Sequence, residues 1–352
     1  MKKLVNSLRI KILFRCDAGK VSEIGTGHLY RSIAIAKILK KKYSIKKNQI
    51  VFITKNQNKY NISIKILDKF KFKYMIYPDR YLNENTFSEI NILKKNPANI
   101  LIIDRLENTK IKTLILLKKN FSKVILIDSI PKQSNLCDLS LNSLVHRNKK
   151  TINNCKIFDN LILPSYNHKS LIKNNKLTKQ IAKNIFIFFG GFDKNSFTRI
   201  IIRKIVELKL PLNIFVSNEF AKLIKNIKIN NLRVSFFNQK NFYKYLSKAD
   251  ISIVSGGLTL FDSLFFGVPA LCLPQYKHQL INAKIINKLN ANRIINSNRD
   301  KISNSFIKNF RLIYKDKKIR EMLIKNGNKI INLNKMNKVL DRIYKIYENE
   351  VN

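Results

Sequence analysis

The sequence predicts an α/β protein of two consecutive doubly wound halves, each a parallel sheet covered by helices on both faces. Three observations predict this. Short apolar runs recur without in–out alternation, the mark of strands buried on both faces. Segments with apolar residues at helical spacing lie between them, as crossover connections require. After a polar stretch at 167–182 the whole pattern begins again, so domains are expected at residues 1–166 and 183–352. At 352 residues the chain also exceeds the size at which one core ordinarily stops growing.

The elements follow in order. Residues 9–16 form the first strand and run into a glycine-containing loop. Leu29, Ile33, Ala36 and Leu39 then recur at helical spacing. Strands are expected at 50–54 and 74–77. Apolar runs at 99–104 and 123–128 each end in an aspartate, with a crossover helix at 110–119 between them. Residues 161–163, before Pro164, would close the first sheet. In the second half, a strand at 185–189 enters Gly190-Gly191 and a helix spans 196–208. Strands follow at 212–216, 234–237 and 251–254. The last of these enters Ser255-Gly256-Gly257 and a helix over 258–266, before a strand at 270–273. Helices fill most of the remainder, and the Lys/Asn-rich tail reads as an exposed amphipathic helix.

Composition narrows the class. A hydrophobic fraction of 45%, with 22 Phe and 13 Tyr, supplies bulk for real cores and argues against disorder. No apolar run approaches the ~20 residues of a membrane span, and the opening residues lack the apolar region of a secretory signal. Cysteines 16, 137, 155 and 272 form no Cys-x-x-Cys pair, and histidines 28, 146, 168 and 278 are dispersed. Neither a metal site nor a disulfide framework is read, and a reducing cytoplasm is expected. The formal charge of +46 is spread from end to end with abundant Asn and Ile. Those residue types rise together in AT-rich coding sequences, which gives a solvated basic surface; attraction for polyanions is the alternative. A specific nucleic-acid site would instead concentrate the charge in a patch or arm.

Three strand-to-helix junctions carry candidate chemistry. In the first, Arg15-Cys16-Asp17 leads to Gly25-Thr26-Gly27-His28-Leu29-Tyr30-Arg31. Glycines permit close approach there, and His28 falls in the first turn of a helix, whose N-terminus disfavours imidazolium. His28 is therefore either a neutral base or a packing residue in a turn. The second junction is Phe188-Phe189-Gly190-Gly191-Phe192-Asp193. The third is Ser255-Gly256-Gly257-Leu258-Thr259-Leu260-Phe261-Asp262. Each glycine pair alone could be a turn. Two in one half, both before helices, suit a diphosphate laid across helix N-termini.

The third junction, continued through Gly267-Val268-Pro269 to Gln279 and Asn282, resembles the nucleotide-binding signature of GT-B glycosyltransferases, in particular the transferase that makes lipid II. Together with Arg15, Asp17, the Gly25–Arg31 turn and Gly190-Gly191-Phe192-Asp193, the chain resembles the UDP-2,4-diacetamido-2,4,6-trideoxy-β-L-altropyranose hydrolases of pseudaminic acid synthesis and their spore-coat polysaccharide relatives. The resemblance spans about residues 9–295. It implies a GT-B fold of two Rossmann-like domains facing across a cleft. It also implies hydrolysis of a UDP-linked deoxyamino sugar without metal or cofactor, by water attack at the anomeric carbon.

By that resemblance His28 is the catalytic residue. Substrate would be held by Gly27, Arg31, Gly190, Gly191, Ser255, Gly256, Gly257, Thr259, Asp262, Gln279 and Asn282, with Arg15 and Asp17 positioning the loop. Asp262 stands where the transferases carry a ribose-binding glutamate. Of the hydrolases' Asp-x-Tyr only Asp104 remains, in a position to orient a water or sugar hydroxyl; the missing aromatic suggests a different sugar. Transfer to an acceptor hydroxyl is the alternative reaction, and a nucleic-acid-associated binding protein the alternative class. The expected partner is a UDP-sugar, bound by a cytoplasmic monomer with at most weak contact to anionic membranes.

Overall fold

The structure is a computed structural model that describes residues 10–19, 25–42, 45–56, 61–105, 107–128, 136–141, 178–193, 195–227, 231–238, 240–331 and 333–348. The chain divides into two compact units, Met1–Tyr166 with Asn334–Asn352, and Asn167–Leu333.

The first unit contains β1 (Ile12–Cys16), α1 (Gly27–Lys42), β2 (Ile50–Asn56), α2 (Asn61–Phe70), β3 (Lys73–Pro78), α3 (Phe87–Lys94), β4 (Ile100–Asp104), α4 (Ile111–Lys118), β5 (Lys123–Ile127) and β6 (Leu139–Leu141). Its strands order β3-β2-β1-β4-β5-β6, all parallel. Side chains of β1 alternate between two cores. Ile12, Phe14 and Cys16 pack with Leu29, Ile33 and Leu39 of α1, whereas Leu13 packs with Ile90 and Leu93 of α3 and Leu114 and Leu117 of α4. Both faces are apolar, which is why these strands read as unbroken apolar runs.

The second unit contains β7 (Asn184–Phe188), α5 (Phe197–Glu207), β8 (Leu212–Ser217), α6 (Ala221–Ile224), β9 (Leu232–Phe237), α7 (Phe242–Lys248), β10 (Ile251–Val254), α8 (Leu258–Phe265), β11 (Ala270–Cys272), α9 (Lys277–Lys288), β12 (Asn292–Ile294), α10 (Arg299–Lys315) and α11 (Lys317–Ile330). The parallel order is β12-β11-β10-β7-β8-β9. Counted from its own first strand this is the winding of the first sheet, read from the opposite edge. Ile185, Ile187, Ile251 and Ile253 pack on α5 and α10. On the other face Phe186 stacks on Phe237 at 4.8 Å, with Phe242 edge-on at 5.2 Å. In such a winding the strand order reverses between the first and fourth strands, and the crevice at their carboxyl ends is the natural ligand position.

Several elements depart from the sequence reading. α2, α3, β6, α6, α7 and β12 were not anticipated. The expected strand at 161–163 and residues 167–177 of the linker expected at 167–182 lie outside the described residues. The second domain was expected to run to 352, but α12 (Leu333–Glu348) belongs to the first unit. Its Leu340 and Ile343 are buried in the core with α1, and Lys42 pairs with Asp341. The tail is thus a packed helix, its apolar stripe covered by the first sheet's own helices. No helix among the described residues is long and apolar enough to cross a membrane.

Candidate functional site

In the first unit, polar side chains gather where β1, β4 and β5 end. Pairing of β1 with β4 sets Cys16 beside Asp104, and α1 starts at Gly27, so His28 lies in its first turn. His28 Nδ1 is 2.6 Å from Asp104 Oδ1, and His28 is 18% exposed while Asp104 is fully buried. Arg31, one turn along α1, donates to Asp104 through Nε at 2.8 Å and through Nη2, and to Asp128 through Nη1 at 2.5 Å. Ser32 Oγ donates to Asp104 Oδ2 at 3.1 Å. Burial alone would push the Asp104 carboxyl up, but Arg31 and then His28 outweigh it and hold it at about 2.

That ionisation fixes the tautomer. A carboxylate only accepts, so Nδ1 carries the proton and donates, leaving the Nε2 lone pair for a proton from outside. Arg31 Nη2 stands 3.1 Å from the same Nδ1 as a close neighbour.

A second buried cluster braces the loop between β1 and α1. Arg15 donates to Asp17 at 2.7 Å, Glu89 at 2.9 Å and the Leu82 carbonyl at 3.1 Å. Asp17 also accepts from Lys55 N–H at 2.9 Å and Thr54 Oγ at 3.1 Å, tying the end of β1 to β2. Burial opposes ionisation of Glu89, but Arg15 and Arg105 overcome it and hold its pKa below the ordinary value. Gly25, at φ 58°, accepts from Gly19 N–H at 2.9 Å and closes the loop.

In the second unit, the loops after β7 and β10 are neighbouring strand ends. Gly190 takes φ 94°, a conformation that favours glycine. A carboxylate already occupies the start of α5: Asp193 accepts from Phe197 N–H at 2.8 Å and Thr198 N–H at 2.7 Å. The start of α8 differs. Gly257 is its N-cap, and among the described residues no side chain caps it, which leaves the first backbone N–H groups of the helix without a capping side chain. Gly256 is pressed against the Gln279 backbone, and Asn282 Nδ2 donates to Gly256 O at 3.0 Å.

Three residues beyond Thr259 on α8, Asp262 is 8% exposed, and burial pushes its carboxyl up to about 8. Gln275, after β11, ties the loop after β7 to the start of α9: its Nε2 donates to Phe189 O at 2.6 Å and Phe192 O at 3.3 Å, while its N–H donates to Gln279 Oε1 at 2.9 Å. Among the described residues, no group of three or more metal-ligating side chains gathers.

No family model matches the chain. An uncharacterized protein of Methanocaldococcus jannaschii is 29% identical over 281 residues, covering 73% of this chain and 54% of that protein; the chain thus spans about half the length of the curated relative it matches. Among solved structures, the calicheamicin glycosyltransferase CalG4 superposes with a TM-score of 0.65 at 11% identity, over 97% of this chain and 99% of its own. The kitacinnamycin glycotransferase gives 0.64 at 13%, over 96% and 98%. UGT2 of Phytolacca americana, complexed with UDP-2-fluoro-glucose and pterostilbene, gives 0.63 at 11%, over 96% and 100%. The fold is that of the GT-B glycosyltransferases.

Within this fold the sequence-derived residues fall into two sets. Gly27, His28, Gly190, Gly191, Ser255, Gly256, Gly257 and Thr259 stand at strand ends or on the first turns of helices, and Asp262 lies one turn further along α8. The others are internal supports. Arg31 is spent on two carboxylates, where contact with phosphate or sugar was expected. Asp104 receives donors from His28, Arg31 and Ser32, so it orients the histidine where a water or sugar hydroxyl was expected. Asn282, fully buried, and Gln279 brace the 255–257 turn where lining of the substrate site was expected. Asp193 fills the α5 terminus that was expected to share the diphosphate. Sequence reasoning missed Asp128, Glu89 and Gln275. For Asp128 a signal existed, since it ends an apolar strand run just as Asp104 does.

Proposed function

We propose that the chain hydrolyses a UDP-linked deoxyamino sugar to the free sugar and UDP, in a nonulosonic acid or other surface-glycan pathway. The observation that carries this reading is the His28–Asp104 pair, which leaves Nε2 as a proton acceptor at the carboxyl end of the sheet. The His28 Nε2 lone pair takes a proton from water as the water oxygen bonds the anomeric carbon. The bond from that carbon to the diphosphate oxygen breaks, UDP leaves with the electron pair, and the configuration inverts. Asp104 stabilises the imidazolium formed.

The second unit would hold the nucleotide. The uncapped start of α8, with Gly256, Gly257 and the Ser255 and Thr259 hydroxyls, suits the diphosphate. The Asp262 carboxyl has no hydrogen-bonding partner among the described residues, and ribose hydroxyls would supply donors. Gly190 and Gly191 allow close backbone approach on the neighbouring strand end.

Transfer to an acceptor hydroxyl is the second reading, favoured by the glycosyltransferase structures that share the fold. The same histidine would then take the hydroxyl proton. Incubation with a panel of UDP-amino sugars decides between them. UDP and free sugar released without acceptor support hydrolysis, whereas release that requires an added acceptor supports transfer. UDP binding with no release under either condition overturns both.

A further inference from the structure

Asp128 directly follows β5 and is used by nothing in the reaction written above. Its φ of 56° lies in the left-handed region, uncommon for a residue with a side chain and tolerated best by Asn and Asp. Its N–H donates to Leu141 O at 2.8 Å and its Oδ2 accepts from Arg31 Nη1. An unusual backbone conformation persists where the surroundings hold it, often because the side chain is needed there. The Asp128 side chain is 5% exposed and that of Arg31 4%. Arg31 therefore lies in a buried row between two carboxylates, with Asp104 at one edge of its guanidinium and Asp128 at the other.

The charges in that row give Asp128 a purpose. With His28 neutral, Asp104, Asp128 and Arg31 sum to one net negative charge. With His28 protonated, the four side chains sum to zero. Were Asp128 neutral, the same states would be zero and one net positive. A buried group of charges is least costly when its members compensate one another, so Asp128 biases the row toward a proton on His28. The described neighbours do not alter this count. From β1 comes the Cys16 thiol, which burial pushes well above its ordinary value and so keeps neutral. From α1 comes Ser32, uncharged. Arg15, Asp17, Glu89 and Arg105 pair among themselves in the adjoining cluster.

We propose that Asp128 is a positioning residue that acts through Arg31 and Asp104 to make His28 a proton acceptor. The inference rests on His28 being the base of the proposed reaction, but it can be tested without turnover. The His28 Cε1–H resonance is titrated in the full-length wild-type protein, in Asp128→Asn and in Arg31→Gln. Asparagine suits the left-handed backbone and keeps the shape, so Asp128→Asn removes only the charge. Its midpoint should fall by roughly 0.5–1 pH unit. Arg31→Gln leaves two negative charges and should move the midpoint up. A structural role alone would lower stability in both variants without shifts of opposite sign.

With an active substrate, Asp128→Asn should also lower kcat at unchanged KM and displace the acidic limb of its pH profile by the same interval. An unmoved midpoint in a folded Asp128→Asn, or shifts of the same sign in the two variants, overturns the proposal. Should the midpoints shift as stated while no UDP-sugar is turned over, the hydrolytic reading fails and the charge relationship stands.

Discussion

A β-carbon on Gly256 would collide with the backbone carbonyl of Gln279, so the turn after β10 closes against α9 only because residue 256 has no side chain. The obstacle is backbone and cannot swing aside. Gly256→Ala should lower stability by about 1–3 kcal/mol, the usual range for forced overpacking. It should also weaken UDP binding, because the start of α8 shifts with the turn. Gly257 faces only side-chain atoms, at 3.7 and 3.9 Å, so Gly257→Ala should cost less. Thermal melts and UDP titration of the two variants side by side check the contrast.

His28→Asn removes the acceptor nitrogen while keeping a small polar group. UDP affinity should be unchanged and kcat should fall about 10²–10⁴-fold, the usual share of a general base. Full turnover in this variant would take the histidine out of the reaction.

Asp104→Asn can still accept from Arg31, but it no longer demands the proton on Nδ1. Nitrogen shifts of the His28 ring should show the Nε2–H form rising, with kcat about 10³-fold or more below wild type. The wild-type pH dependence follows from the depressed pKa of Asp104. Its contribution to stability is complete above the unfolded value near 4 and is lost as pH falls through about 2. Acid unfolding curves of wild type and variant should therefore diverge above that window and converge below it.

Asp262 works in the opposite sense. Its folded pKa of about 8 lies above the unfolded value of about 4, so between those limits the folded state holds a proton that the unfolded state has released. Stability of the free protein should fall as pH rises across that window, and Asp262→Asn should flatten the slope. A ligand that donates hydroxyl hydrogens to the carboxylate lowers that pKa. UDP binding near pH 7 should then release a proton, read by calorimetry in buffers of different ionisation enthalpy. Binding with no proton exchange would mean that the ribose does not meet Asp262.

Much of this architecture was legible because strands buried on both faces leave apolar runs such as Ile100–Ile103 of β4 and Val124–Ile127 of β5. The three-residue strands β6 and β12 were not, because Leu139-Ser140-Leu141 and Asn292-Arg293-Ile294 are too short and polar to form a pattern. They are strands because a neighbouring edge was open to them. At the site, spacing brought out His28 and the glycine turns, whose chemistry is local. It could not show that Arg31 is consumed by Asp104 and Asp128, since those partners are 73 and 97 residues away. A buried arginine and an exposed one look alike in one dimension. Only the strand order that sets β1 beside β4, and β5 next to it, distinguishes them.

The return of α12 to the first unit bears on how the chain is made. Leu340 and Ile343 fill the core beside α1, yet they emerge from the ribosome only after the whole of the second unit. Domains ordinarily fold as units in order of synthesis. Here the second unit can finish first, while the earlier one waits with part of its apolar surface uncovered. A chain stalled or cut near residue 333 would carry a complete second half and an unsealed first half, the species most open to chaperones and proteases.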